Sequence, residues 1–319
     1  MKHLAGRALA LALALLPGAA LAEYPERPIR MVVPYAAGGG ADSAARIVGQ
    51  QLSNALGQQV VIDNRAGAGG VVGADNVAKS PADGYTILFD ASAFATNAAL
   101  RKLPYDPRRD LIPLSLVVIA PNILVVPPKA PYDTVAGLIE AAKKNPGKMT
   151  YASAGAGSAS HLAGEALNEA AKLDITHVPY RGGAPALNDI MADRVSLYFG
   201  NTASTLGHVQ GGTVKAIAIG SPKRSKLLPN VPTLAESGLP GFESQEWNGT
   251  FVPKGTPPAI VERLAAEIAK AVANPEIKAK LEGLGLEPVG NTPKDFATFV
   301  ETEMDRAAAI AKARNIKVD

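Results

Sequence analysis

The sequence contains no cysteine. That excludes a disulfide framework, a thiolate metal site and a cysteine nucleophile, so the fold must rest on its apolar core. An excess of one charge is also missing: 32 Lys and Arg stand against 29 Asp and Glu, with no basic run. This argues against a nucleic-acid partner. Histidine is scarce. Beyond His3 there are His161, His177 and His208, without an H-E-x-x-H motif or close pairing, so neither a metal nor a cofactor is expected. Long apolar runs are absent as well. A bilayer span needs about 20 apolar residues, yet the most apolar internal stretch, Leu111 to Pro128, is interrupted by Pro113, Ser115, Pro121, Asn122 and Pro127. It reads as buried strands joined by turns.

What the chain does have begins with an address. Lys2, His3 and Arg7 precede an apolar stretch from Ala8 to Leu16, which Pro17 and Gly18 break. Ala20-Leu21-Ala22 then fits a small-x-small cleavage pattern. Residues 1–22 are therefore expected to be a cleavable export signal, with Glu23 as the mature N-terminus and the periplasm as the destination. Without Lys2 and Arg7, 30 basic residues face 29 acidic ones, a formal charge of +1. A hydrophobic content of 47% over 319 residues allows a sizeable core, and the length suggests two domains of roughly 150 residues each.

Apolar runs punctuated by glycine alternate with amphipathic stretches, the pattern of an α/β fold with mainly parallel sheets. Strands are expected at Ile29–Val33, Val60–Ile62 and Thr86–Phe89, and in a second unit at Ile123–Val126, Met149–Ala152, Ile175–Val178, Val195–Phe199 and Val214–Ile219. Helices from Pro258, Pro275 and Pro293 each carry proline in the first turn. If the chain crosses near Ile123 and returns near Trp247, two lobes follow. Lobe 1 is discontinuous, residues 23–123 plus 247–319, and lobe 2 is 124–246.

Glycine-rich loops carry the candidate chemistry. Gly38 to Asp42 follows a strand and opens a helix, whose free N–H groups attract anions; Asp42 is expected to be the N-cap. Ser153 to His161 repeats the arrangement in the second unit, with small side chains and the hydroxyls of Ser153, Ser158 and Ser160. Two such helix starts, one per lobe, can face each other across a cleft. The only tryptophan, Trp247, packs in a core or walls the inter-lobe mouth. Two enzymatic alternatives remain. Gly67 to Gly73, with Asp90 about 20 residues on, resembles a dinucleotide fingerprint and suggests a nicotinamide-dependent oxidoreductase. Ser158 with His161 suggests a hydrolase, although no G-x-S-x-G elbow is present and no carboxylate obviously orients the histidine.

An ordered series of stretches points further. It runs through Tyr24-Pro25-Glu26-Arg27-Pro28-Ile29, Val32-Val33-Pro34-Tyr35-Ala36-Ala37-Gly38-Gly39-Gly40-Ala41-Asp42 and Asn64-Arg65-Ala66-Gly67-Ala68-Gly69-Gly70. It continues with Pro81-Ala82-Asp83-Gly84-Tyr85-Thr86, His161-Leu162-Ala163-Gly164-Glu165 and His177-Val178-Pro179-Tyr180-Arg181-Gly182. Leu228-Pro229-Asn230-Val231-Pro232-Thr233 and Pro253-Lys254-Gly255-Thr256-Pro257 complete it. Through these the chain resembles the Bug-type solute-binding receptors of tripartite tricarboxylate transporters. It departs from their pattern at Ala37 and Ala66, where proline is common.

The resemblance implies a two-lobe periplasmic-binding fold that closes on a small carboxylate (a dicarboxylate, amino acid or aromatic acid) and passes it to membrane subunits. It implies a receptor, not an enzyme, and a monomer is expected. Carried over position by position, the site residues are Tyr35, Gly39, Gly40, Asp42 and Ser92 from lobe 1. Lobe 2 supplies Ser153, Gly157, Ser158, Asn201 and Thr202; His161, Arg181 and Trp247 are lesser candidates.

Overall fold

The computed structural model describes residues 24–314, and side chains as far as residue 309. The expected leader, its cleavage point and Glu23 lie outside the described residues. The chain opens with β1 (Ile29–Val33), α1 (Gly40–Leu56) and β2 (Val60–Asn64). A 3-10 turn, Ala68–Gly70, leads into α2 (Val71–Ala78), β3 (Thr86–Ala91) and α3 (Ala93–Leu100). Next come β4 (Leu111–Val126), α4 (Val135–Lys144), β5 (Thr150–Ser153), α5 (Ala159–Ala171), β6 (Thr176–Pro179) and α6 (Gly183–Met191). β7 (Leu197–Asn201), α7 (Thr202–Gln210), β8 (Lys215–Ile219) and β9 (Gln245–Pro253) follow. The chain ends with α8 (Pro258–Ala273), α9 (Pro275–Gly283), β10 (Glu287–Pro288) and α10 (Pro293–Arg314).

Two sheets share one strand. The first runs β2-β1-β3-β9-β4-β10 and the second β6-β5-β7-β4-β8. Strands β1, β2 and β3 are parallel, as are β5, β6 and β7, but β4 and β9 run antiparallel to each other and to their other neighbours. The expectation of mainly parallel sheets is thus corrected to mixed ones. The cause is topological. β4 carries the chain out of the first sheet and β9 brings it back, so the two lie side by side in opposite senses.

β4 also corrects the expectation of separate strands broken by turns. It is one strand of 16 residues despite Pro113 and Pro121. Pro121 is the last residue paired with β9, and Asn122 the first paired with β7, so the missing N–H falls at the changeover. Pro113 borders a register shift, where proline is tolerated in a sheet.

Packing follows the periodicity of the helices. Ala44, Ala45, Val48, Leu52 and Leu56 recur on one face of α1 and are buried with Met31 and Val33 of β1 and Leu264 and Ile268 of α8. Gly57 ends α1 in the left-handed region, φ 66°. In the second lobe Leu124, Tyr151, Leu167 and Phe199 form the equivalent core. Each fully buried side chain of this size contributes roughly 1.5–3 kcal/mol. In both lobes, helices begin at the carboxyl ends of parallel strands, where α/β sheets present backbone amides to ligands.

Candidate ligand-binding cleft

Between the two sheets lies a cavity of about 20 Å³, room for one or two waters at roughly 10–15 Å³ each. The β1–α1 turn lines it with Tyr35, Gly39, Gly40 and Ala41, and the β3–α3 turn with Ala91, Ser92 and Ala93. Across the gap stand Ala154, Ser158 and Ala159 of the β5–α5 turn, Gly183 of α6, and Tyr198 and Asn201 of β7. Glu246 of β9 completes the wall. A wider groove of about 420 Å³ adjoins it, sharing Ser92, Ala159 and Glu246 and extending past Leu162, Trp247 and Phe299.

The lining is rich in donors. The first intrahelical bond of α1 runs from Ser43 N to Gly39 O and that of α5 from Leu162 N to Ser158 O. The amides of Gly40, Ala41, Ala159 and Ser160 therefore precede the helical ladder. Both dipoles are positive at this end, which favours an anion. Ser158 caps α5 by accepting from His161 N at 3.3 Å, and its hydroxyl pairs with that of Ser160 at 2.9 Å. Asn201 caps α7 through Oδ1, which accepts from Ala203 N at 2.9 Å; its buried Nδ2 has no hydrogen-bond partner. The buried Ser92 hydroxyl is likewise unpartnered.

The sequence-derived candidates divide accordingly. Tyr35, Gly39, Gly40, Ser92, Ser158 and Asn201 meet at the cavity. Asp42 does not line it, and the expectation that it caps α1 is corrected. Gly39 holds the cap position without a side-chain bond, and Asp42 lies three residues on. From there it accepts from Gly38 N at 2.8 Å, Arg46 Nε at 2.9 Å and Asn64 Nδ2 at 3.0 Å. Burial opposes its ionisation, but these bonds hold the carboxyl below its ordinary range. Asp42 thus stiffens the loop from behind.

Ser153 is buried beneath its loop, its hydroxyl 2.6 Å from His177 Nε2. Gly157 donates its N–H to His161 Nδ1 at 3.0 Å, so that amide is already committed. The rings of His161 and His177 stack 4.1 Å apart. Burial lowers both, His177 to about 3, so they stay neutral. The His161 ring therefore serves Gly157 and not the Ser158 hydroxyl, which is not the arrangement of a Ser–His pair.

Thr202 turns away to donate to Gly285 O at 3.1 Å. Arg181 contributes its carbonyl, which accepts from Ala36 N at 3.0 Å across the gap; its side chain is exposed. Trp247 is buried against Phe296 and Phe299, donates to Glu303 Oε2 at 3.2 Å, and borders the groove and not the cavity.

The glycines of the fingerprint-like loop have packing duties. A Cβ on Gly69 (φ 63°) would overlap Ala156 O of the other lobe, and one on Gly73 would approach Pro34 Cα at 2.9 Å. Asp90 is occupied: it accepts from Tyr35 OH at 2.8 Å and from Ala91 N at 2.7 Å.

Glu246 and Tyr198 escaped the sequence reading. Tyr198 sits in an apolar run that looks like core, and Glu246 immediately precedes the more conspicuous Trp247. No local signal marks Glu246, because β9 mixes polar and apolar residues, Gln245, Asn248 and Thr250 among them. Burial raises Glu246 to about 7; the Asn201 and Asn248 amides partly offset this, although neither reaches proper hydrogen-bond geometry. Burial likewise raises Asp90 to about 7, offset by its bonds from Ala91 and Tyr35 and reinforced by the charge of Glu246.

A carboxyl whose folded pKa exceeds its unfolded one weakens the fold as pH rises from about 4.5 through 7. Glu246→Gln is therefore expected to stabilise the ligand-free protein by about 1–3 kcal/mol at pH 8 and by almost nothing near pH 4. Urea unfolding at the two pH values measures this. Equal stability of variant and wild type at pH 8 would show that the carboxyl ionises there without penalty.

Comparison with known proteins agrees with this geometry. The family model described as tripartite tricarboxylate transporter family receptor matches residues 44–316. Over 305 residues the chain is 42% identical to the "UPF0065 protein in tcbD-tcbE intergenic region" of Pseudomonas sp. strain P51, covering 95% of this chain and 91% of that one. The solved structure of the periplasmic binding protein BugD is 38% identical, covers 92% of this chain and 99% of its own, and superposes with a TM-score of 0.89. An R. palustris protein solved with adipate gives 36%, the same 92% and 99% coverage, and a TM-score of 0.89. With its two-lobe α/β fold and its amide-lined cleft, the chain belongs to the tripartite tricarboxylate transporter receptor family.

Proposed function

We propose that this protein is a periplasmic receptor that captures a small carboxylate by closing its lobes and delivers it to the membrane subunits of a tripartite transporter. The observation that carries the proposal is the meeting of the α1 and α5 starts, one from each lobe, at a cavity with no Lys, Arg or His in its lining. Such a site holds an anion through amides, hydroxyls and dipoles. Adipate in a relative 36% identical supports a carboxylate as the ligand. The lobes divide at 123/124 and 246/247 in this proposal, which the partner change after Pro121 and the start of β9 at Gln245 support. Closure would bend the chain at these crossings. The absence of a nucleophile–base pair in the cavity lining favours binding without turnover, and export by a leader ending at Ala22 belongs to the same proposal.

A panel of carboxylates tested by thermal shift is the direct experiment. A ligand at 100 times its dissociation constant is expected to stabilise the fold by about 2.7 kcal/mol. The same ligand should reduce the radius of gyration in solution scattering and be recovered chemically unchanged. Altered ligand would defeat the receptor proposal in favour of an enzyme, and no shift with any carboxylate would defeat the ligand class.

A further inference from the structure

The cavity that suits an anion also contains an acid. Glu246 lines it, Asp90 lies behind Tyr35 at the same wall, and no cationic side chain among the described residues lines it to balance either. A ligand carrying only negative charge would set like charges together at a desolvated site, where they are least screened. The unpartnered polar atoms around Glu246 specify something else. Asn201 is only 5% exposed, and its Nδ2 is a donor with no hydrogen-bond partner; the buried Ser92 hydroxyl is a second. Beside these donors the Glu246 carboxylate offers acceptors alone when ionised.

Donors for one end of a group, joined by the dipoles of α1 and α5, and a carboxylate acceptor next to them match a carboxylate with an ammonium on the adjacent carbon. At about 20 Å³ the cavity holds only part of such a head group, and the remainder lies where the cavity opens into the adjoining groove. The rest of the molecule has somewhere to go, because the groove that shares Ser92, Ala159 and Glu246 leads outward between the lobes.

We infer that the ligand is an α-amino carboxylate and that Glu246 selects it by accepting from its ammonium group. This rests on the carboxylate-receptor proposal above. The upward shift of the Glu246 pKa by burial fits an acid awaiting a cation: a bound ammonium would restore the charged form that burial penalises.

Matched ligand pairs test the inference on the full mature chain. Malate and aspartate differ in a hydroxyl against an ammonium, as do phenyllactate and phenylalanine, so each pair isolates the amine while one is short and the other fills the groove. Titration calorimetry at pH 7.5 is expected to show the amine member of at least one pair binding at least about tenfold tighter. In Glu246→Gln that preference should fall about tenfold, because a neutral amide accepts more weakly than a carboxylate. The hydroxy acid should bind the variant as well as or better than it binds the wild type, which separates lost recognition from a damaged fold.

Equal or tighter binding of the hydroxy member in both pairs would overturn the inference, as would a preference that Glu246→Gln leaves unchanged. If carboxylates from the thermal-shift panel bind but none with an amine does, Glu246 acts as a protonated donor to a carboxylate, and the inference fails while the receptor proposal stands. If no carboxylate of any kind binds, both fail together.

Discussion

Replacing Gly40 by alanine is expected to weaken ligand binding by at least about 100-fold, some 2.7 kcal/mol, while the ligand-free protein still folds. Gly40 is the first residue of α1, outside the left-handed region, so its own helix gives no reason for glycine. Alanine is the better helix former by up to about 1 kcal/mol. The reason lies across the cleft. A Cβ at Gly40 would overlap the Asn201 amide group and come within 2.8 Å of Asn201 Cβ. Asn201 cannot step aside cheaply, since its Oδ1 caps α7 and its backbone pairs with Asn122 of β4. The variant should hold the lobes apart without strain in either. The ligand-free melting temperature should stay within about 3 °C of wild type, and calorimetry should show the lost affinity. Wild-type affinity in Gly40→Ala would refute the dependence of binding on this contact.

An equally large effect is expected at Gly157, by a different route. Its φ of 86° disfavours any side chain, and a Cβ would stand 3.1 Å from Asn97 Oδ1 of the first lobe. A β-branched residue there is an outlier costing roughly 1–3 kcal/mol in strain alone. Because the Gly157 amide already serves His161, the loss acts through the shape of the loop and the fit of the lobes. Gly157→Val should weaken binding about 100-fold or more and lower thermal stability as well. Arg181→Ala should change affinity less than about threefold, since its exposed side chain contributes little and the carbonyl that bridges the lobes survives. Calorimetry on both variants, with circular dichroism to check folding, decides between them. Should Arg181→Ala abolish binding while Gly157→Val retains it, a guanidinium clamp replaces the amide cradle.

Much of this architecture was legible in the sequence wherever a single element carries its own signal. Helix α8 spans Pro258–Ala273, as its periodicity and first-turn proline predict, and β1 spans Ile29–Val33 as its apolar run does. Two helices went unseen for a local reason. α3, Ala93–Leu100, is built of small residues without a polar face, and α7, Thr202–Gln210, is dominated by polar ones and glycine. Neither shows the amphipathic stripe that betrays a surface helix.

The glycine and serine loops at 38–42 and 153–161 were recognisable because strand, small residues and helix follow one another along the chain. Glu246 was not, because nothing local distinguishes it. Only the insertion of β9 between β3 and β4 brings position 246 against a turn more than 150 residues earlier, at Ser92. The engagement of the Gly157 amide was equally hidden: the acceptor that takes it, His161, is visible only once α5 turns its first residues back over the loop.

The placement of β9 also dictates an order of assembly. Every strand of the second sheet lies between residues 111 and 219, whereas the first sheet lacks an interior strand until residues 245–253 arrive. A chain emerging N-terminus first can therefore finish its second sheet before its first. Until then β3 and β4 present unsatisfied edges to each other, with α8 and α10 not yet available to cover them. Contacts so distant in sequence are slow to form, so the early third of the protein waits, open and exposed, for the last third to reach it.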